Sequence, residues 1–126
     1  MKQLDHKNIV KVLGRVRFDF EGCNYYGIAM EFLTRGNLEN FIEAKKEEAA
    51  LLPNSWTEND ALRLIAQLIN GLSFLHEKEV IHRDIKPSNI FLGENERLVI
   101  GDFGISGIFA TTIITKIIGT DNYLPP

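Results

Sequence analysis

HRDIKPSN, residues 82–89, sets a histidine, an arginine, an aspartate, a lysine and an asparagine within eight positions. Each has an ordinary explanation alone: a single aspartate is commonly a cap or a solvated charge, and a single histidine in apolar surroundings a structural one. Five specified types at fixed spacing, at about one in twenty each, arise by chance in on the order of one window in millions. On a loop held by the elements either side, Asp84 presents a carboxylate able to accept a proton from a hydroxyl. Asn89, five residues on, offers an amide oxygen suited to a hard cation, and Lys86 adds positive charge near both. A base, a metal ligand and a cation in one loop suit transfer of a phosphoryl group, in which a protein mainly positions groups and neutralises charge. That chemistry needs a second metal-ligand carboxylate. Asp102, eighteen residues after Asp84 and followed by Phe103 and Gly104, supplies it.

Around the octet the pattern breaks into short pieces. VI (80–81), NIFLG (89–93) and LVIGDFG (98–104) read as short strands with a turn at Glu94 to Glu96. Upstream, Thr57 and Asp60 stand at capping-box spacing, and Leu62, Ile65, Ile69, Leu72 and Leu75 step by three or four residues. This predicts a helix over 58–77. Leu64, Leu68 and Phe74 widen its apolar face, which implies burial on more than one side. Farther out, Val10, Val12, Val16, Phe18 and Phe20 alternate with charged residues, the period of a strand with one wet face. A turn at Glu21 to Asn24 and a second, more buried strand over 25–33 complete an antiparallel hairpin. Leu38, Phe41 and Ile42 predict a short amphipathic helix starting near Gly36 or Asn37, with EAKKEEAA (43–50) as its solvated end or a surface insertion. Residues 105–126 carry Gly, Thr and Pro without a sustained period and read as a long loop.

Composition bounds the function. In 126 residues, 44% hydrophobic and 25% charged positions suffice for one core, so one domain or part of one is expected. Fourteen basic against seventeen acidic residues, net −3, give no general attraction to nucleic acid or an anionic membrane, so phosphate binding must be local. The single Cys23 cannot form an internal disulfide and belongs to no CxxC, which fits a reducing compartment. No stretch has the roughly 20 apolar residues of a membrane span, and MKQLDHKNIV is too polar for a signal peptide. The expected location is the cytoplasm, with the nucleus open.

HRDIKPSN and DFG resemble the catalytic loop and metal-binding loop of eukaryotic protein kinases. The resemblance implies an α+β, protein-kinase-like fold, here partial: a small-lobe remnant over about 1–30, a hinge at 31–36, and the first part of the helical large lobe over 37–126. It also implies ATP and Mg2+ as cofactors and a protein as substrate, with no nucleic-acid or membrane partner. In that frame Asp84 orients and deprotonates the substrate hydroxyl, Asn89 and Asp102 hold magnesium, and Lys86 stabilises the transferring phosphate, while His82 supports the loop. Lys86-Pro87, with Thr120 after Gly119, resembles the serine/threonine branch. AMEFLTRGNL resembles the hinge, making Met30 the gatekeeper, setting backbone groups of Glu31 and Leu33 at the adenine edge and Leu92 under the ring. Arg83 is the residue that kinases of this type use to grip a phosphate on the following loop, with Thr115 the first candidate for that phosphate and Thr112 the second. Thr120 resembles the family threonine that contacts the catalytic aspartate. Pro125 resembles an Aurora variation and DFGIS with KPSNIFL is closer to NIMA-related kinases, so the subfamily stays open.

The chain contains no GxGxxG, and GDFGISG has the wrong spacing. The strand lysine and helix glutamate of the family pattern are also absent, so the chain is expected to be a central section cut at both ends and inactive alone. Two other readings stay open. One is a pseudokinase-like binding or scaffold module, which intact Asp84, Asn89 and Asp102 argue against. The other is a small-molecule phosphotransferase of kinase-like fold, which Lys86 and the loop ending in Gly119, Thr120 and Tyr123 disfavour.

Overall fold

Thr57 and Asp60 start the longest element. The Thr57 hydroxyl accepts from the Asp60 N–H, and the Asp60 carboxylate accepts from the Thr57 N–H, a reciprocal cap that satisfies two donors otherwise left open. In the computed structural model, which describes residues 4–103 and 107–108, that helix runs over Glu58–Glu77, the span its periodicity predicts. Before it come β1 (Val12–Phe20), β2 (Cys23–Met30) and α1 (Leu38–Leu51); the long helix is α2. After it come β3 (Val80–Ile81), β4 (Ile90–Leu92), β5 (Leu98–Ile100) and β6 (Gly107–Ile108), an α+β arrangement. The strands pair antiparallel as β1 with β2, β3 with β6, and β4 with β5.

The hairpin closes through Glu21 and Gly22, both at positive φ (51° and 75°), a two-residue turn whose twist matches the flanking strands. Because the turn takes only two residues, β2 begins at Cys23 rather than 25, and it ends at Met30 rather than 33. The expectation that β2 is the more buried strand fails. Tyr25, Tyr26, Ile28 and Met30 are exposed, as are Val16 and Phe18, because the two strands pack chiefly on each other.

Asn37 caps α1, its side-chain oxygen accepting from the Asn40 N–H at 3.0 Å. The helix is not short. It runs for 14 residues and takes in the charged stretch 43–50, whose Ala, Lys and Glu are strong helix formers, with Lys45 paired to Glu48 at 2.7 Å. No residue of α1 is fully buried, and it anchors through Phe41, edge-on to Trp56 at 6.2 Å.

Two adjoining clusters form the core. Leu64, Ile90, Leu92 and Leu98 make one, and Ile9, Leu75 and Ile100 the other; Leu68 and Ile85 pack against both. Each buried aliphatic side chain contributes about 1.5–3 kcal/mol. Residues 8–10 run beside β5, with Val10 N–H to the Ile100 carbonyl and Ile100 N–H to the Asn8 carbonyl, both at 2.9 Å. Gly71 lets α2 approach this pairing, since a Cβ there would lie 2.8 Å from Ile100 and 3.1 Å from the Asn8 carbonyl oxygen. The expected burial of α2 on more than one side is not seen among the described residues: Leu64, Gly71 and Leu75 are buried, whereas Leu62, Ile65 and Ile69 point away from both clusters and are 50–57% exposed. The stretch read as a loop from 105 contains β6, which pairs Gly107 with Ile81 and Ile108 with Val80.

Candidate active site

β3 delivers the chain to His82, which is 2% exposed. Its Nδ1 accepts from the Asp84 N–H at 3.3 Å and its Nε2 lies 2.7 Å from the Gly101 carbonyl oxygen, so the proton on Nε2 goes to that carbonyl. Its ring also meets Phe103 at 4.9 Å. One buried imidazole therefore ties the octet to the segment carrying Asp102, the supporting role expected of it. Ile85 sinks into both core clusters and fixes the middle of the loop. Around it, Asp84, Lys86 and Asn89 turn toward one another.

Asp84 Oδ2 receives the Lys86 ammonium at 2.9 Å and the Asn89 amide at 2.8 Å, and the same Asn89 nitrogen donates to the Asp84 backbone carbonyl at 2.9 Å. A 3-10 turn over Pro87–Asn89, with proline at its start, brings Asn89 back over Asp84. The Asn89 carbonyl then accepts the Gly101 N–H at 3.0 Å, placing Asp102 one residue beyond a backbone bond to the octet. Arg83 and Asp102 both hold positive φ (71° and 55°), which costs roughly 1–3 kcal/mol each in a residue other than glycine and gathers at functional sites. Asp102 is exposed, whereas the Asp84 side chain is 14% exposed.

Met30 ends β2 half-exposed, and Glu31 and Leu33 follow it in the link to α1. This link reaches the octet's strand through the Leu92 N–H, which donates to the Gly36 carbonyl at 2.9 Å, and through a bridge between Asn37 and Phe91. The Glu31 side chain turns elsewhere, to the Lys11 N–H and Arg97, both at 2.9 Å. Burial opposes the charge on that carboxylate, but the Lys11 hydrogen bond and the Arg97 guanidinium outweigh it and hold the group below the usual carboxylate range.

Leu92 requires a correction. It is 0% exposed and belongs to the core cluster with Leu64, Ile90 and Leu98, so it has no surface to offer a ring. Side chains alternate along a strand, and the half-buried Phe91 between Ile90 and Leu92 takes the opposite face, its ring against Gly101. In the sequence the alternation sets Phe91 opposite Ile90 and Leu92 without saying which of the two faces is the core. Thr111, Thr112, Thr115 and Thr120 lie outside the described residues.

Asn89 Oδ1 accepts no hydrogen bond among the described residues, because both contacts to Asp84 run from the nitrogen. That amide oxygen and the Asp102 carboxylate are both hard oxygen donors of the kind that suits Mg2+.

Known proteins similar to this chain are protein kinases. The protein kinase domain family matches residues 1–126. An Aurora kinase of Schizosaccharomyces pombe is 39% identical over 98% of this chain and 31% of its own length. A calcium/calmodulin-dependent protein kinase type 1 of Caenorhabditis briggsae is 32% identical over 100% and 33%, and the serine/threonine-protein kinase KIN4 of Saccharomyces cerevisiae 37% identical over 86% and 12%. The chain thus spans a third or less of these relatives.

Proposed function

This chain belongs to the protein kinase domain family, and from that premise we propose that it carries the catalytic loop of an enzyme that moves the terminal phosphoryl group of ATP to serine or threonine hydroxyls of proteins. The observation that carries the reading is the closure of Asp84, Lys86 and Asn89 on one carboxylate oxygen, at 2.8 and 2.9 Å. The sequence division at residues 31–36 then separates a small-lobe portion from a large-lobe portion, with the link after β2 as hinge.

Asp84 acts as the base. Its carboxylate is held by Lys86 and Asn89, so it presents a fixed orientation to a substrate hydroxyl and takes that proton as the oxygen attacks phosphorus. Lys86, paired with Asp84 before substrate arrives, stands ready to shift its charge toward the transferring phosphate. Asn89 Oδ1 and the Asp102 carboxylate would hold Mg2+, which when bound neutralises charge on the phosphate oxygens. Backbone groups of Glu31 and Leu33 meet the adenine edge, Met30 borders the pocket, and Phe91 replaces Leu92 beneath the base. Arg83 and Thr115, with Thr112 second, are the proposed phosphate switch, and the family resemblance assigns Thr120 the role of contact to the catalytic aspartate. The 126 residues by themselves, without a glycine-rich loop, have no appreciable kinase activity in this reading.

Asp84→Asn in the whole protein tests it. Turnover should fall by about 10²–10⁴-fold, the usual contribution of a general base, while nucleotide affinity changes little. Unchanged turnover on a protein substrate would show that Asp84 is not the base. Phosphorylation of a small metabolite in preference to any protein would move the substrate to the other phosphotransferase class.

A further inference from the structure

Arg97 ends the 3-10 turn between β4 and β5, and its side chain leaves that turn in an unusual direction. Asn95 and Glu96 both hold positive φ (54° and 55°), and the turn is pinned by Gly93 N–H to the Arg97 carbonyl at 2.8 Å. The guanidinium lies back across Gly93. A Cβ at that position would sit 3.1 Å from Arg97 Nε and 3.3 Å from Nη2, so the glycine makes the room. From there Arg97 reaches two segments distant in sequence: Nη1 donates to the Lys7 carbonyl at 2.8 Å, and Nη2 to Glu31 Oε2 at 2.9 Å.

Glu31 is gripped from its other side as well. Its Oε1 accepts the Lys11 N–H and its own N–H donates to the Lys11 carbonyl, both at 2.9 Å. One turn of the β4–β5 hairpin thereby fastens the loop before β1 to the first residue of the proposed hinge, which in turn holds Lys11, the residue before β1. A surface ion pair alone contributes little, but bonds from one planar guanidinium to a carboxylate and a carbonyl add direction to charge. Arg97 and Glu31 are 34% and 24% exposed at the side chain, and a cleft of about 270 Å3 leaves the pair partly open to water.

We propose that Arg97 is a positioning residue for nucleotide binding: it fixes the backbone of Glu31, and hence the hinge groups that meet the adenine, by clamping that residue to the loop of residues 4–9. This rests on the hinge assignment made above. Glu31's N–H and both carboxylate oxygens are engaged, which fixes the peptide plane before it and the position of its Cα, leaving ψ as the one rotation that aims its carbonyl. The clamp acts on ground-state binding of the base and leaves phosphoryl transfer to the octet, so its loss raises KM for ATP and spares kcat.

The test compares the whole protein with Arg97→Ala, Arg97→Lys and Glu31→Gln. Amide hydrogen exchange is followed at Lys11 and Glu31, with the Gly101 amide, bonded to the Asn89 carbonyl outside the clamped loop, as an internal control for folding. Arg97→Ala should speed exchange at Lys11 and Glu31 and raise KM for ATP, each by about five- to tenfold, the scale of one net hydrogen bond at a pair partly open to water, with kcat within about twofold. Arg97→Lys, able to reach only one of the two acceptors, should fall between, and Glu31→Gln should lose less when Arg97 is already alanine. Unchanged exchange at Lys11 and Glu31 overturns the clamp. Faster exchange with an unchanged KM overturns its role in positioning. Failure of the unaltered protein to bind ATP sinks the hinge assignment and the nucleotide half of the proposal, while the exchange arm still decides whether Arg97 holds the segments together.

Discussion

Asn89 gives its amide nitrogen to Asp84 twice and keeps its oxygen open among the described residues, so one small side chain both orients the base and offers a metal ligand. Asn89→Ala should therefore show two effects that separate. Loss of hydrogen bonds to a charged group at a site 5% exposed should lower stability by about 1.5–3 kcal/mol in denaturant titration. Loss of the oxygen should raise the magnesium concentration for half-maximal activity by at least about tenfold, the scale on which even outer partners of a metal act. A stability loss with an unchanged magnesium requirement would leave Asn89 as a purely structural contact. At this scale the octet was legible because its chemistry is contiguous: eight residues contain the base, its cation and its amide. Leu92 was misread by one place because a three-residue strand carries too little pattern to show which side chain faces the core. Arg97 gave no signal at all. Its reach to Lys7 and Glu31 depends on two left-handed residues and a glycine in a turn, and nothing local in the sequence says where that turn points.

The capping box of α2 is the element-level feature with the sharpest consequences. Thr57→Ala removes the side-chain acceptor for the Asp60 N–H and should cost about 0.5–2 kcal/mol in thermal or urea unfolding. The Thr57 hydroxyl and N–H, with a smaller contribution from Arg63, hold the Asp60 carboxyl at about 2, below its ordinary 3.8. A folded-state value below the unfolded one means that the stabilisation is complete above about pH 4 and is lost as pH falls toward 2. Asp60→Asn should flatten the decline of stability across that window, and an equal decline in both proteins would place the acid sensitivity elsewhere. Gly71 limits the same helix from the inside. Gly71→Ala drives a methyl group against Ile100 and the Asn8 carbonyl and should destabilise by about 1–3 kcal/mol, outweighing the helix propensity gained. The bounds of α2 were readable because cap, period and length agree over twenty residues. Those of β2 were not, because the two-residue turn and the lack of cover among the described residues depend on context beyond the strand itself.

Across the whole molecule, the apolar residues divide into those that meet and those that do not. Ile9, Leu75, Ile90, Leu92, Leu98 and Ile100 close around one another, while Leu62, Ile65 and Ile69 form a row along α2 with no cover among the described residues. The periodicity saw this row and could not say what lies on it, since a sequence pattern fixes the face of a helix and leaves its partner unspecified. The Aurora kinase extends well beyond the part that this chain matches, which is 31% of its length, so in a protein of that length further residues exist that can pack on such a row. Ile65 is 50% exposed in these 126 residues. Ile65→Asp in the chain alone should thus cost about 1–1.5 kcal/mol, from half of an isoleucine's burial and a small loss of helix propensity. In a protein where the row is covered, the same change buries a charge without a partner and should cost roughly 3–5 kcal/mol. Measuring the substitution in both contexts by denaturant unfolding decides the matter. Equal small losses would mean that the row stays open to water in the longer protein, and a large loss confined to the longer protein would mean that α2 gains its second buried side there.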